Sequence, residues 1–263
     1  MFEVSVIIPS KVGESRLLVA VESIYDENLD MEILVGIDGI DTTMQKNLYA
    51  LQIKNLRVFE FKDKVGISNI LNALLELAEG KFIARMDADD VSLPQRLIKQ
   101  LKYMNSHPEV TMICSNAIED SGPIVFSGQS KYLTYKDFFD YNPVIHPTVM
   151  FRKSELLMGN FRYNSKWDGA EDYDLWTRIS RKNIIYYSKE TLLQYTKTYH
   201  IRTVTKRYFY FKRIHINNLV WHLFQNSLCP KSLLMIQILK VFFIPFEYLK
   251  IIVWNKINLK SQD

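Results

Sequence analysis

The sequence predicts an α/β fold, a Rossmann-like and mostly parallel sheet with helices on both faces, followed by a C-terminal helical extension. Three observations predict it. Short apolar runs alternate with helical patterns as β-α-β-α-β-α-β-α-β over residues 4–115, and such alternation implies parallel strands joined by crossover helices. Polar residues gather at the expected carboxyl ends of three of these runs, where ligands of open α/β sheets bind. Beyond Arg202 the pattern gives way to a basic, aromatic segment.

The run over residues 4–9 is apolar and ends at Pro9, as expected of a strand buried on both faces. Residues 16–25 carry Leu17, Val21 and Ile24 at helical spacing. Residues 32–37 form a second apolar run, closed by the turn signal Asp38-Gly39. Residues 56–61 are a third strand. Residues 68–78 are a helix with Ile70, Leu71, Leu74 and Leu75 on one face, stopped by Gly80. Residues 81–86 form a fourth strand and run into Asp87-Ala-Asp-Asp90. Residues 94–105 are a helix with Pro94 near its first turn, and residues 110–115 a fifth strand. Residues 116–160 read as strands and loops broken at Gly122-Pro123 and Asn142-Pro143. Residues 171–182 read as one helix with Leu175, Trp176 and Ile179 on one side.

Composition excludes several classes. With 263 residues, 48% apolar and 24% charged, the chain can bury a core without metals or disulfides and is not disordered. A net charge of +4 is too mild to argue for nucleic acid. Cys114 and Cys229 are far apart without metal spacing, which suits a reducing compartment. The N-terminus lacks a basic region and a cleavage site, so a secretory leader is not expected. The most apolar stretch, residues 233–254, is interrupted by Lys240, Pro245, Glu247 and Lys250, which disfavours a spanning helix.

Chemistry concentrates in three motifs. In Arg85-Met-Asp-Ala-Asp-Asp90 three carboxylates crowd a strand end, and a hard divalent cation would relieve their repulsion. The competing reading is an acidic cap for the helix that follows. In Gly169-Ala-Glu-Asp-Tyr-Asp-Leu-Trp176 the acids open a helix, where its dipole favours them whatever their function. His146-Pro-Thr148 reads as a turn or core histidine, or as part of a site.

In order, these motifs resemble family 2 glycosyltransferases of the GT-A fold, most nearly the bacterial members that build capsule and O-antigen repeats. The resemblance rests on Val4-Ser-Val-Ile-Ile-Pro9, Glu32-Ile-Leu-Val-Gly-Ile-Asp38-Gly39, Gly66-Ile-Ser-Asn-Ile-Leu-Asn72, the Asp87–Asp90 motif, Pro94-Gln-Arg96, His146-Pro-Thr148 and Glu171-Asp-Tyr-Asp-Leu-Trp176, and covers residues 3–200. It implies a catalytic region over residues 1–200, with a nucleotide-binding half (1–115) and an acceptor half (116–200), and an extension over 201–263. It implies a UDP-sugar donor, Mg²⁺ or Mn²⁺ as cofactor and inversion at the anomeric carbon. Pro9 and Asp38 would line the base and ribose pocket. Asp87 would face the ribose and the metal's waters, Asp89 would ligate the metal, and Asp90 would support the loop or touch the donor sugar. Asp172 would be the general base, with Glu171 contacting the acceptor or orienting the base, and His200 a further candidate for metal or diphosphate. Three positions depart from the family's pattern: Ser10-Lys11 follow Pro9, Ile37-Asp38 leaves one carboxylate where a pair is usual, and Thr196 stands where arginine is common.

The chemistry fits these residue types independently. A cation offsets charge on a leaving diphosphate, and a carboxylate on the opposite face takes the acceptor hydroxyl's proton. A single displacement with one base inverts the centre. The expected acceptor is a lipid-diphosphate-linked saccharide. Residues 202–215 interleave Arg202, Lys206, Arg207, Lys212 and Arg213 with Tyr208–Phe211 aromatics. That pattern suits the inner face of the cytoplasmic membrane, approached peripherally from the cytoplasm; packing on the catalytic region or a homo-oligomer contact are the other readings. Two rival functions are a sugar-phosphate nucleotidyltransferase, for which Pro9-Ser-Lys-Val-Gly13 is a poor triphosphate loop, and a non-catalytic sugar-nucleotide binding protein, against which Asp87, Asp89 and Asp172 argue.

Overall fold

The computed structural model describes residues 2–119, 128–139, 141–196, 210 and 213–216. The chain divides into two units, Met1–Arg207 and Tyr208–Asp263. His200, the segment over 233–254 and most of the basic segment over 202–215 lie outside the described residues. In chain order the first unit carries β1 (Val4–Lys11), α1 (Leu17–Ile24), β2 (Met31–Asp38), α2 (Thr42–Ala50), β3 (Leu56–Phe61), α3 (Ile67–Leu77), β4 (Phe82–Arg85), β5 (Val91–Ser92), α4 (Arg96–Ser106), β6 (Val110–Glu119), β7 (Lys131–Leu133), β8 (Met150–Arg152), α5 (Lys153–Met158), α6 (Glu171–Ser180) and β9 (Ile184–Tyr195).

Among the described residues the strands form one mixed sheet in the order β3-β2-β1-β4-β8-β6-β9-β5, with β7 pairing β9. The first four of these run parallel. The expected fifth parallel neighbour, β6, does not pair with β4. The antiparallel β8 lies between them, with Phe82 opposite Arg152 and Met112 opposite Phe151. β6 and β9 then pair in parallel across register shifts.

β1 is buried along its length until Lys11, and β2 until the half-buried Asp38. Helices cover both faces, so neither strand alternates in polarity. The one acid inside β2, Glu32, is fully buried and fully used. It accepts from the Ser5 hydroxyl (2.6 Å), the Glu79 N–H (2.6 Å) and Arg57 (3.1 Å). α3 packs Ile70, Leu71, Leu74 and Leu75 inward, the face that its sequence spacing marks. α2, which has no range in the sequence reading, buries only Leu48. Its start is set by Asp41, whose carboxylate accepts the N–H of Met44 at 3.0 Å and of Gly13 at 2.9 Å. Those backbone hydrogen bonds hold the Asp41 carboxyl below its ordinary value and tie the loop after β1 to α2.

Register brings the chemistry to one edge. Lys11 is level with Asp38 at the carboxyl ends of β1 and β2. β4 stops earlier, with Arg85 level with Ile7. The Met86 N–H still donates to the Ile7 carbonyl at 3.1 Å. The chain therefore turns into Asp87–Asp90 directly above the sheet's centre. No helix among the described residues is long and apolar enough to cross a membrane.

Candidate active site

A cleft of about 220 Å³ opens at this edge, and Pro9, Asp38, Asp87 and Asp89 all line it. Four residues expected from three separate strand ends are thus brought together. Ile67 and Ile70 of α3 and the Lys11–Glu14 pair (3.2 Å) complete the walls. Asp38 accepts the Val65 N–H at 2.8 Å, which draws the loop ahead of α3 over the cleft. The signal for Ile67 and Ile70 was present in the Gly66–Asn72 motif, but Glu14 had none.

The carboxylates of Asp87, Asp89 and Asp90 offer oxygen atoms within 4.8 Å of one another. Each is handled differently. Asp87 pairs with Arg85 Nη2 at 2.5 Å. Burial opposes charge on Arg85, yet the adjacent Asp87 carboxylate more than offsets it and the guanidinium is held above its ordinary pKa. Asp89 is raised by burial and by the charge of Asp87. Asp90 is almost fully buried. Burial first, then the charge of Asp87, push its carboxyl up to about 8, against the Thr196 N–H that donates to it. Its Oδ2 is buried without a hydrogen-bond partner. Three crowded acids, two of them raised, and an orphaned carboxylate oxygen form a donor set that suits a hard divalent cation.

The acid turn is held from behind. Arg96, fully buried on α4, donates to the Arg85 carbonyl at 2.7 Å, and burial lowers its pKa to about 9. Gln100, one turn on, donates to the Thr148 carbonyl at 2.7 Å. From the other side, the Thr196 hydroxyl donates to the Asp89 carbonyl at 2.6 Å, and Arg16 donates to that hydroxyl at 2.5 Å. Thr196, where the sequence departs from the common arginine, therefore still grips the acid turn.

The second group of acids divides. Glu171 is 6% exposed and accepts the Gly169 N–H. Its Oε1 lies 3.9 Å from Nδ1 of His146. Burial, then the charge of Asp172, push Glu171 up to about 7. Asp172 is half-buried and receives the side-chain amide of Asn142 at 2.8 Å. Asp174 pairs with Arg178 on the same helix at 2.8 Å. His146 takes the core reading. Its Nε2 meets the Tyr163 hydroxyl at 2.9 Å and its ring stands edge-on to Trp176. Burial, then the charge of Arg85, hold its pKa well below the ordinary value, so the imidazole is neutral. Asp172 and Glu171 are not part of the cleft's wall, but Tyr163 feels both them and Asp87, so the buried Arg85–Tyr163–His146 group lies between the two sets of acids. Tyr163 carries no signal in the sequence, Asn142 reads there only as part of a chain break, and Arg85 only as the first residue of the acid motif.

A sheet whose carboxyl edge carries this cleft and an acid turn, backed by a second acid pair on a helix, is a GT-A-like fold. The chain belongs to glycosyl transferase family 2, whose profile matches residues 5–168. It is 30% identical over 190 residues to the amylovoran biosynthesis glycosyltransferase AmsE of Erwinia amylovora, covering 68% of this chain and 69% of that protein. It is 30% identical over 192 residues to the O-antigen biosynthesis glycosyltransferase WbnJ of Escherichia coli, covering 67% of this chain and 71% of that one. An uncharacterized glycosyltransferase of Methanocaldococcus jannaschii matches at 29% identity, over 63% of this chain and 60% of its own length. The fold is similar to that of S. aureus TarS 1–349, with a TM-score of 0.65 at 18% identity, covering 83% of this chain and 65% of that one. TarS 1–349 has also been solved in complex with UDP and with UDP-GlcNAc.

Proposed function

We propose that the chain is an inverting hexosyltransferase of surface-polysaccharide assembly. It moves a sugar from a UDP donor to a lipid-diphosphate-linked saccharide at the inner face of the cytoplasmic membrane. The observation that carries this reading is the cleft in which Pro9 and Asp38 meet Asp87 and Asp89. The names of AmsE and WbnJ support the polysaccharide assignment. The UDP and UDP-GlcNAc complexes of TarS support the donor class. The membrane assignment rests on the basic, aromatic composition of residues 202–215.

In this reading residues 1–115 hold the donor and 116–200 the acceptor. Asp38 and Pro9 bind the nucleoside, and Asp87, paired with Arg85, faces the ribose. Asp89 is the direct ligand for Mg²⁺ or Mn²⁺, and the orphaned oxygen of Asp90 points to the same task or to the donor sugar. The cation would supply charge stabilisation for the departing diphosphate. Asp172 takes the proton of the acceptor hydroxyl, while the more deeply buried Glu171 orients the helix start. Because one carboxylate serves one displacement, the anomeric centre inverts.

The test is a screen of UDP-glucose, UDP-galactose, UDP-GlcNAc and UDP-GalNAc with a synthetic lipid-diphosphate saccharide, the product being read by NMR. An inverted glycosidic bond, formed with added Mn²⁺ and lost in excess EDTA, is expected. Full transfer after metal stripping overturns the metal assignment, and a retained configuration overturns the single-base mechanism.

A further inference from the structure

We propose that Asn142 is a positioning residue for the base, its side-chain amide fixing Asp172 from the loop that precedes β8. The inference rests on the reading of Asp172 as base. Asn142 Nδ2 donates to Asp172 Oδ2 at 2.8 Å, while Asn142 Oδ1 accepts the Val144 N–H at 3.1 Å. The second contact settles which end of the amide faces the acid. A flipped amide would place oxygen against carboxylate and NH₂ against N–H, losing both bonds and creating two repulsions.

The loop that presents Asn142 is anchored. Pro143, Val144 and Ile145 are buried. The short 3₁₀ turn His146–Thr148 follows at once, with the Thr148 hydroxyl donating to the Ile145 carbonyl at 2.7 Å and accepting the Ser115 N–H at 3.2 Å. Asn142 therefore approaches α6 from a segment tied to β6 and α4, not from a free loop tip. The partner is also chemically apt. A donor to an ionised carboxylate favours the ionised form, and a neutral amide does so without the formal charge of Lys or Arg, which would lower the carboxylate's basicity further. The Glu171 carboxyl lies beside Asp172 on the same helix, and the buried Tyr163 phenol, neutral because burial raises its pKa, feels both acids; Arg85 and His146 face Glu171.

The experiment uses the full chain with Asp side chains labelled at the carboxyl carbon, and follows Asp172 by NMR titration in wild type, Asn142→Ala and Asn142→Asp. The same three proteins are assayed for hydrolysis of UDP-GlcNAc, water standing in for the acceptor. Asp172 is expected to titrate at higher pH in Asn142→Ala and higher still in Asn142→Asp, where a second carboxylate faces it. The acid limb of the kcat profile should move in the same order. kcat at neutral pH should fall about tenfold or more in Asn142→Ala, with donor KM unchanged. Repeating the titration in a Glu171→Gln background removes the neighbouring carboxyl. Coincident Asp172 titrations in all three proteins, or a shifted titration with unchanged kcat, overturn the proposal, because a purely structural tie would lower stability without moving either. An active Asp172→Asn overturns the base reading instead, whatever the Asn142 variants do.

Discussion

The backbone N–H of Thr196 donates to the carboxylate of Asp90 at 2.8 Å, although the two residues are 106 positions apart. β5 and β9 make this meeting possible. Val91 pairs with Gln194 and Ser92 with Leu193 in antiparallel register, so the end of the last strand lies along the acid turn. The sheet thus carries the acid turn at both ends, on β4 before it and through β9 after it.

The first prediction follows from that clamp. Thr196→Val keeps the N–H to Asp90 but removes the hydroxyl that links Arg16 to the Asp89 carbonyl. Groups that support a metal ligand typically carry 10–100-fold in affinity. The Mn²⁺ Kd, read by calorimetry in the presence of UDP, should rise by about tenfold while the fold is retained. An unchanged Kd would mean that the hydroxyl only closes β9.

Gly66 supplies the second. Its φ is +83°, and a Cβ there would sit 2.6 Å from Oδ2 of Asp168. The Ser68 hydroxyl donates to Oδ1 of the same carboxylate. This contact joins the start of α3, which walls the cleft, to the residues just ahead of α6. Gly66→Ala should therefore cost more than about 1 kcal/mol in urea unfolding, from backbone strain alone. It should also weaken UDP binding severalfold, because Ile67 moves with the helix start. Wild-type values for both would show that the segment adapts without loss.

The sequence made the central strands legible because burial on both faces writes them as continuous apolar runs, as in Val4–Lys11 and Met31–Asp38. It made α3 legible because four large apolar residues repeat on one face. It did not reveal β5 or β8, which are two and three residues long and exist only through their pairing partners. α2 buries a single leucine and has almost no periodic signal. The acids that line the cleft were readable, since Asp38 closes β2 and Asp87–Asp90 lie just past β4. The contact of Asn142 with Asp172 spans 30 residues and that of Thr196 with Asp90 spans 106. Neither leaves a local pattern. The expected partnership of Glu171 and Asp172 was visible as a pair, but which acid is buried depends on the orientation of α6 against His146 and Tyr163.

The third prediction concerns pH. Burial and the charge of Asp172 raise the Glu171 carboxyl from an ordinary 4.5 to about 7 in the folded chain. The folded state thus binds this proton more tightly than the unfolded state. Its contribution to stability is complete below about pH 4.5 and is lost as pH rises through about 7. Glu171→Gln removes the titration while keeping an acceptor for the Gly169 N–H. Relative to wild type, the variant should gain stability between pH 4.5 and 7.5, by about 3 kcal/mol at most. A stability difference that stays flat across this window, measured by urea unfolding, would show that Glu171 ionises as an ordinary glutamate.

The last prediction bears on the mechanism. Asp172 is half-buried, while its neighbour Glu171 is turned inward and Asp174 is paired with Arg178. Of the three acids that open α6, Asp172 is therefore the one to which the proposed mechanism gives the acceptor's proton. Asp172→Asn preserves size, and its side-chain oxygen can still accept from Asn142, so the loop and helix should keep their relation. What it cannot do is take a proton at neutral pH. A positioned base contributes roughly 10²–10⁴-fold, and kcat for sugar transfer should fall by that order. UDP and UDP-sugar affinity should be unchanged, because the cleft that Pro9, Asp38, Asp87 and Asp89 line does not include Asp172. Single-turnover rates and an independent Kd for UDP separate the two effects. A parallel loss of donor affinity would place Asp172 in donor binding. Near-wild-type turnover would pass the role to Glu171, whose raised pKa of about 7 would then have to be read as that of the base itself.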